Sequence, residues 1–254
     1  MKAYHNKKET KQFYLDRVKA HFKADEIIKG KYWEGGKGCA VGCTIHSSSH
    51  KRYETELGIP QMLARLEDRI FEGLPNELAM KWPEKFLKAV PVGANLKNVS
   101  WQFLHWLILD LKVSDKYPEL KAAIIECADI IKPLTKGKKA DKAECRRIRD
   151  KLWSTRSAIR WPADAAAAAA AAADAYAAAD AAYAAAYAAA YADAYAYAAA
   201  AAADAYADAD AAAAAAADAY AAAYADAYAD AYAARSKYYV KMANKLIELI
   251  KKAK

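Results

Sequence analysis

The chain of 254 residues has few of the residues that interrupt helices. It contains only nine glycines and seven prolines, and neither residue occurs after Pro162. This scarcity excludes a collagen-like chain and a flexible linker rich in glycine or proline. No apolar run approaches the roughly 18 residues of a membrane-spanning helix, and the longest run, residues 101–111, includes a histidine and an aspartate. We therefore expect no transmembrane segment and no membrane partner.

Cysteine is also scarce, with one residue each at Cys39, Cys43, Cys127 and Cys145. Four cysteines are too few for a disulfide scaffold in a chain of this length, and a reducing compartment would keep them as thiols. The first ten residues are polar, and no apolar segment that could act as a signal peptide follows them. The sequence therefore predicts a soluble, cytoplasmic protein.

Basic residues are absent from one long tract. Residues 163–234 consist of 51 Ala, 11 Tyr and 10 Asp, so all 39 Lys and Arg lie elsewhere. The net charge of +8 is therefore the sum of the charges of a basic body and an acidic tract. Tyrosines recur every four residues over 183–195 and 220–232, and a helix would place them opposite many of the aspartates. The tract is predicted to be an amphipathic helical element, either a repeat-expanded packing element or a surface for self-association.

Helical periodicity dominates the remainder, and no alternating run is long enough to predict a strand. Apolar residues recur at helical spacing over 10–28, 59–74, 98–113, 118–131, 139–159 and 237–254, and prolines are expected to bound short helices at Pro75, Pro83 and Pro91. We predict an all-α fold: a helical N-terminal domain, residues 1–160; an Ala-rich helical repeat region, 161–236, packed against that domain or a second chain; and an amphipathic helix, 237–254.

A glycine-rich loop precedes the helix that is predicted to begin at Cys39. Backbone N–H groups beside Lys37 could face an anion there, although the spacing of a Walker loop and the strand before it are absent. Lys37 and Arg52 would supply positive charge, and Trp33 or Tyr53 a stacking surface. The alternative is a glycine turn that only caps a helix. The candidate ligand-binding residues are Trp33, Gly35, Gly36, Lys37, Gly38, His46, His50, Arg52 and Tyr53.

The same helix presents thiols and imidazoles on one predicted face. Cys39, Cys43, His46 and His50 follow one another at spacings of 4, 3 and 4. These are zinc-binding residue types, but they span about 16 Å of helix, so one ion could take only an adjacent pair unless the helix unwinds near Ser47. Zinc is therefore a candidate cofactor, and the alternative is a packed helix face.

The thiols also allow a nucleophile. Cys39, beside Lys37 near a helix N-terminus, is expected to have a lowered pKa. Because no third group that would orient a base can be identified, no catalytic residue is assigned.

A basic stripe precedes the acidic tract. It comprises Lys139, Lys142, Arg146, Arg149, Trp153, Arg156 and Arg160. Such a stripe could follow a nucleic-acid backbone, but acidic residues interrupt it. We favour pairing with the aspartate face of the neighbouring tract over nucleic acid.

Two stretches of the sequence carry a family resemblance. They are GKGCAVGCTIH at residues 36–46, with YETELGIP at 53–60 and LEDRIFEGLP at 66–75, and YVKMANKLI at 239–247. These segments resemble those of a family of bacterial and phage proteins that join such an N-terminal part to Ala-rich helical repeats. The resemblance implies no particular activity, although a phage setting would fit interference with a host signal.

These features together predict a non-enzymatic protein that binds a small anionic, nucleotide-like ligand. Two alternatives stay open. One is a metal- or thiol-dependent hydrolase that uses the Cys/His helix, and the other is a structural helical protein that self-associates through its Ala/Tyr faces.

Overall fold

The computed structural model describes residues 1–110, 118–139, 141–158 and 225–253. These residues are mostly helical, which confirms the predicted all-α class. The helices are α1 (Lys8–Lys23), α2 (Ala40–Ile45), α3 (Arg52–Leu57), α4 (Gln61–Gly73), α5 (Asn76–Ala89), α6 (Val99–Asp110), α7 (Pro118–Ile131), α8 (Lys142–Ala158) and α9 (Ala225–Lys252). Strands β1 (Trp33–Glu34) and β2 (Lys37–Gly38) form an antiparallel hairpin. The chain divides into two compact units, Met1–Phe103 with Ala234–Lys254, and Leu104–Ala233.

The first unit is built around α4, whose apolar residues lie on one side. Leu63, Leu66 and Ile70 recur at intervals of three and four and are buried, as expected for a helix with one face in the core. Helices α5 and α2 both pack on α4, and α1 packs on α2 and α5. The C-terminal helix α9 reaches the same core, because Gly73 at the end of α4 lies against the ring of Tyr239.

Two local predictions in this unit are wrong. Pro83 does not end a helix but lies within α5, where it is buried between Trp82 and Phe86. A proline inside a helix removes one backbone hydrogen bond, and burial of these apolar side chains offsets that loss. The absence of strands is also overturned, since the short hairpin at residues 33–38 lies in the segment that was expected to be an irregular loop.

The second unit contains α7 packed on α8. Their shared core includes Ile124 and Cys127 of α7 and Ile148 and Leu152 of α8. Outside this core, Glu126 accepts hydrogen bonds from Arg147 and Lys151. Helix α7 has the predicted bounds, because a proline marks its first turn and its apolar residues follow the helical period.

Much of the alanine tract and part of the basic stripe lie outside the described residues. The expected pairing of the basic stripe with the aspartate face of the tract lies outside the described residues, and so does most of the Ala/Tyr surface. The backbone of Ala225–Lys252 is helical, as predicted. Among the described residues, no helix combines the length and the apolar character needed to cross a membrane.

Candidate functional site

The glycine-rich loop is the turn of the β1–β2 hairpin. Gly35 and Gly36 have φ values of 57° and 83°, which other residues rarely adopt and which two-residue hairpin turns require. The turn pairs Glu34 with Lys37, and Trp33 with Gly38. Gly35, Gly36, Lys37 and Gly38 are thus used to reverse the chain direction.

Three of the N–H groups between the hairpin turn and the start of α2 bind protein acceptors. The amide of Gly38 donates to the carbonyl of Glu26 at 3.0 Å, and that of Cys39 to Lys31 at 2.7 Å. Gly42 donates to the Cys39 sulfur at 3.4 Å, so the thiol caps the six-residue helix α2. The start of this helix therefore presents amides that already have internal partners.

The helix that was predicted to run from Cys39 to His50 ends at Ile45, so that prediction is wrong. His46 adopts the left-handed conformation, with φ 50° and ψ 46°, and its amide closes the helix on the Gly42 carbonyl. Cys43 stays in the core, where its thiol donates to the Gly38 carbonyl at 3.2 Å. The change of backbone direction turns His46 outward, and the four Cys and His side chains do not share one helical face.

His46 instead joins a group of side chains that we call the imidazole cluster, consisting of His21, Glu26, Trp33 and His46. The Nε2 atoms of His21 and His46 are 2.7 Å apart. On the other side of the His21 ring, Nδ1 lies 2.6 Å from a carboxylate oxygen of Glu26. The indole of Trp33 stacks on His46 with 4.5 Å between ring centroids and 11° between planes. The cluster is a continuous chain from a carboxylate through two imidazoles to an indole.

Four parts of the fold position the cluster, and His46 comes from the end of α2. His21 lies in the last turn of α1, and Trp33 lies in β1. Glu26 follows a turn in which Asp25 has φ 56°, and its amide donates to the His21 carbonyl at 3.0 Å. Because the hairpin is bonded to this turn and to the start of α2, it brings Trp33 against both imidazoles.

Positive charge surrounds the exposed end of the cluster. Partial desolvation, followed by the charges of Arg17, His21 and Arg52, lowers the pKa of His46, while Glu26 opposes the change. The guanidinium of Arg17 donates to the Thr44 carbonyl at 3.0 Å. Arg52, which is predicted to bind an anion, forms an ion pair with Glu56. His46 therefore favours its neutral form between cationic neighbours.

A second group of polar side chains is buried near Cys39. The carboxylate of Asp68 lies 3.5 Å from Nε2 of His50 and interacts with the Cys39 thiol. Next to it in sequence, Glu67 is fully buried and faces the hydroxyl of Tyr53. Burial raises the pKa of both Glu67 and Tyr53 well above their ordinary values. Tyr53 lies inside the core, so the prediction that it is a stacking surface for a ligand is wrong.

The thiols of Cys39 and Cys43 are poor nucleophiles in this structure. Burial, and then the charge of Asp68, raises the pKa of Cys39, although two amides of α2 act in the opposite direction. Burial also raises the pKa of Cys43 to about 12. The expected lowering of the Cys39 pKa is wrong, because desolvation outweighs the hydrogen bonds at the helix start.

The structure brings together Trp33 and His46 of the predicted ligand residues and places His50 with Asp68. Within the described ranges, no three His, Cys, Asp or Glu side chains are grouped so that they could hold a metal ion. His21 and Glu26 were missed by the sequence analysis. The only local signal is that a histidine lies five residues before a glutamate at the end of a predicted helix, which by itself indicates no site.

Comparisons of this chain with protein-family models, with curated proteins and with solved structures find no match. The family resemblance therefore stays a prediction.

Proposed function

We propose that this protein binds a small anionic ligand with a planar ring, such as a nucleotide, beside the imidazole cluster. The observation that carries the proposal is the stack of the exposed residue His46 on Trp33, with 4.5 Å between the ring centroids. Flat aromatic surfaces of this kind bind nucleobases by stacking, which favours rings without requiring a particular base.

Charge beside the stack supports an anionic ligand over a neutral one. Arg17 and Arg52 both act on His46 electrostatically. The side chain of Arg52 is 45% exposed even though it pairs with Glu56. Guanidinium groups bind phosphates through charge-assisted hydrogen bonds. A nucleotide would combine stacking on the cluster with a phosphate near these two arginines.

The proposed function is binding without turnover, because the two thiols near the cluster are poor nucleophiles. Both cysteines near the cluster are buried, and the pKa of each is raised. A thiolate nucleophile is therefore disfavoured at neutral pH. The four cysteines are thiols, and we place the protein in the cytoplasm, where they would stay reduced.

Calorimetric titration in the presence of EDTA tests the proposal. Adenosine diphosphate, adenosine and inorganic phosphate are titrated separately, so that the contributions of the ring and the phosphate can be compared. The nucleotide is expected to bind most tightly. Its affinity should fall about tenfold or more in His46→Ala and in Arg52→Gln, because each variant removes one of the two kinds of contact.

Lys37→Ala is the matched control, since it removes an exposed cation from the tip of the hairpin. It is expected to leave the affinity within about twofold of wild type. Loss of binding in Lys37→Ala together with retention in His46→Ala would place the ligand at the glycine turn instead. An absence of nucleotide binding in the wild type would reject the proposal.

A further inference from the structure

The Nε2 atoms of His21 and His46 lie 2.7 Å apart in a hydrogen-bond contact, so a small separation of the rings would let both reach one metal ion. We propose that their Nε2 atoms bind one divalent transition-metal ion such as zinc, with Glu26 as the carboxylate that orients His21. This site does not depend on the proposed nucleotide. It uses His21, which helical periodicity did not connect to the Cys/His segment.

Glu26 and His46 lie on opposite sides of the His21 ring. Its Nδ1 lies 2.6 Å from Glu26 and its Nε2 lies 2.7 Å from Nε2 of His46. Metal-binding histidines commonly donate their second ring nitrogen to a carboxylate, which fixes the tautomer and the direction of the coordinating lone pair. Glu26 is placed to do this for His21.

A change of tautomer at His46 would free the space between the two Nε2 atoms for a metal ion. When both imidazoles are neutral, Glu26 accepts the hydrogen on His21 Nδ1, and the hydrogen between the two Nε2 atoms belongs to His46. If that hydrogen moves to His46 Nδ1, both Nε2 lone pairs point to the same place. Zn–N bonds of 2.0–2.1 Å at a tetrahedral angle need roughly 3.3 Å between the nitrogens, so the rings must separate by roughly 0.6 Å.

Both imidazole rings are held in place by a residue outside the pair. Trp33 stacks on His46 and lies edge-on to His21, with 5.5 Å between the latter centroids. His46 itself is exposed, so water can reach the ion. Two protein ligands leave coordination positions open, unlike a structural zinc site with four protein ligands.

The test is a calorimetric titration of zinc chloride into the full-length protein, without nucleotide. The wild type is expected to bind one ion. His21→Ala and His46→Ala should each weaken binding at least tenfold, and Glu26→Gln should weaken it about 10- to 100-fold. His50→Ala is the matched control, because it removes a half-buried histidine of the same segment from outside the pair. Circular dichroism checks that every variant is folded.

Two results would overturn the proposal. One is a wild-type protein that binds no zinc at about millimolar concentration. The other is one-to-one binding that survives in both His21→Ala and His46→Ala, or that disappears in His50→Ala alone. Since the nucleotide titration contains EDTA and the zinc titration contains no nucleotide, either proposal can fail without the other.

Discussion

Glu67 is fully buried in α4, and the hydroxyl of Tyr53 faces its carboxyl group. Desolvation disfavours the charged form of a carboxyl group, and this raises the pKa of Glu67 well above its ordinary value. The neighbouring charge of Asp68 acts in the same direction. The folded protein therefore keeps a proton on Glu67 to a higher pH than the unfolded chain does.

This difference predicts the pH dependence of stability that Glu67 contributes. Above the ordinary pKa of 4.5 the unfolded state binds fewer protons than the folded state, so stability falls as pH rises towards the raised folded pKa. The loss is up to about 1.4 kcal/mol per pH unit. Glu67→Gln removes it, and urea unfolding from about pH 5 to about pH 8 should show the variant gaining on wild type as pH rises. A constant difference between the two proteins would contradict the prediction.

At the scale of elements, the close packing of the hairpin on α2 requires glycine at two positions, because a side chain there would overlap the backbone. A Cβ atom on Gly42 or Gly38 would overlap the carbonyl oxygen of Tyr32. That carbonyl also accepts the Cys39 amide. Because the overlap is with backbone, no rotamer change relieves it, and the hairpin would have to move away from α2.

We expect Gly42→Ala to lower the free energy of unfolding by about 2 kcal/mol or more, through overpacking. Gly35→Asn is the control: Gly35 has open space around it, and asparagine is favoured in this kind of hairpin turn, so the change should stay near 0.5 kcal/mol or less. Urea denaturation measures both. Equal effects of the two substitutions would show that close packing at Gly42 does not hold the hairpin.

The docking of α9 in the first unit depends on another glycine contact. The ring of Tyr239 occupies the space where a Gly73 side chain would lie, and it is 8% exposed. Tyr239→Ala should cost about 3 kcal/mol through the cavity that it leaves, whereas Tyr239→Phe keeps the ring and should cost under about 1 kcal/mol. Thermal unfolding compares the two. A small effect of the alanine variant would mean that α9 contributes little to this unit.

At the scale of the whole molecule, all four cysteines are buried thiols, two in each of the two units. Burial raises the pKa of Cys127 to about 12, as it does for Cys43. A thiol reagent at about pH 8 should therefore react slowly with the native protein and reach all four thiols only after denaturation. Rapid native reaction of one thiol would reopen the thiol-dependent alternative.

Self-association through the Ala/Tyr tract stays a prediction of the sequence. An Ala/Tyr face can pair with an equal face of a second chain, and the tract carries aspartates but no basic residue. If the tract self-associates, light scattering will give a molar mass above that of one 27.8 kDa chain. A single-chain mass at all accessible concentrations would remove the structural alternative.

The fold class could be predicted because helix formation is encoded locally. Spacings of three and four residues, with proline at a first turn, give α7 its bounds and α4 its buried face. The same reasoning failed at Pro83 and at His46. At Pro83, tertiary burial kept a helix that local rules end, and at His46 a left-handed residue ended a helix that periodicity would continue.

The sequence by itself determined that this protein is all-α and that its charge is divided between a basic body and an acidic tract, and its site prediction included Trp33 and His46 of the imidazole cluster. Only the tertiary structure decided which side chains meet. His21 and His46 lie 25 positions apart, and the hairpin that joins them was not signalled by periodicity. Their contact depends on the packing of α1, the hairpin and α2 around shared backbone hydrogen bonds, and spacing along one helix carries no record of that packing.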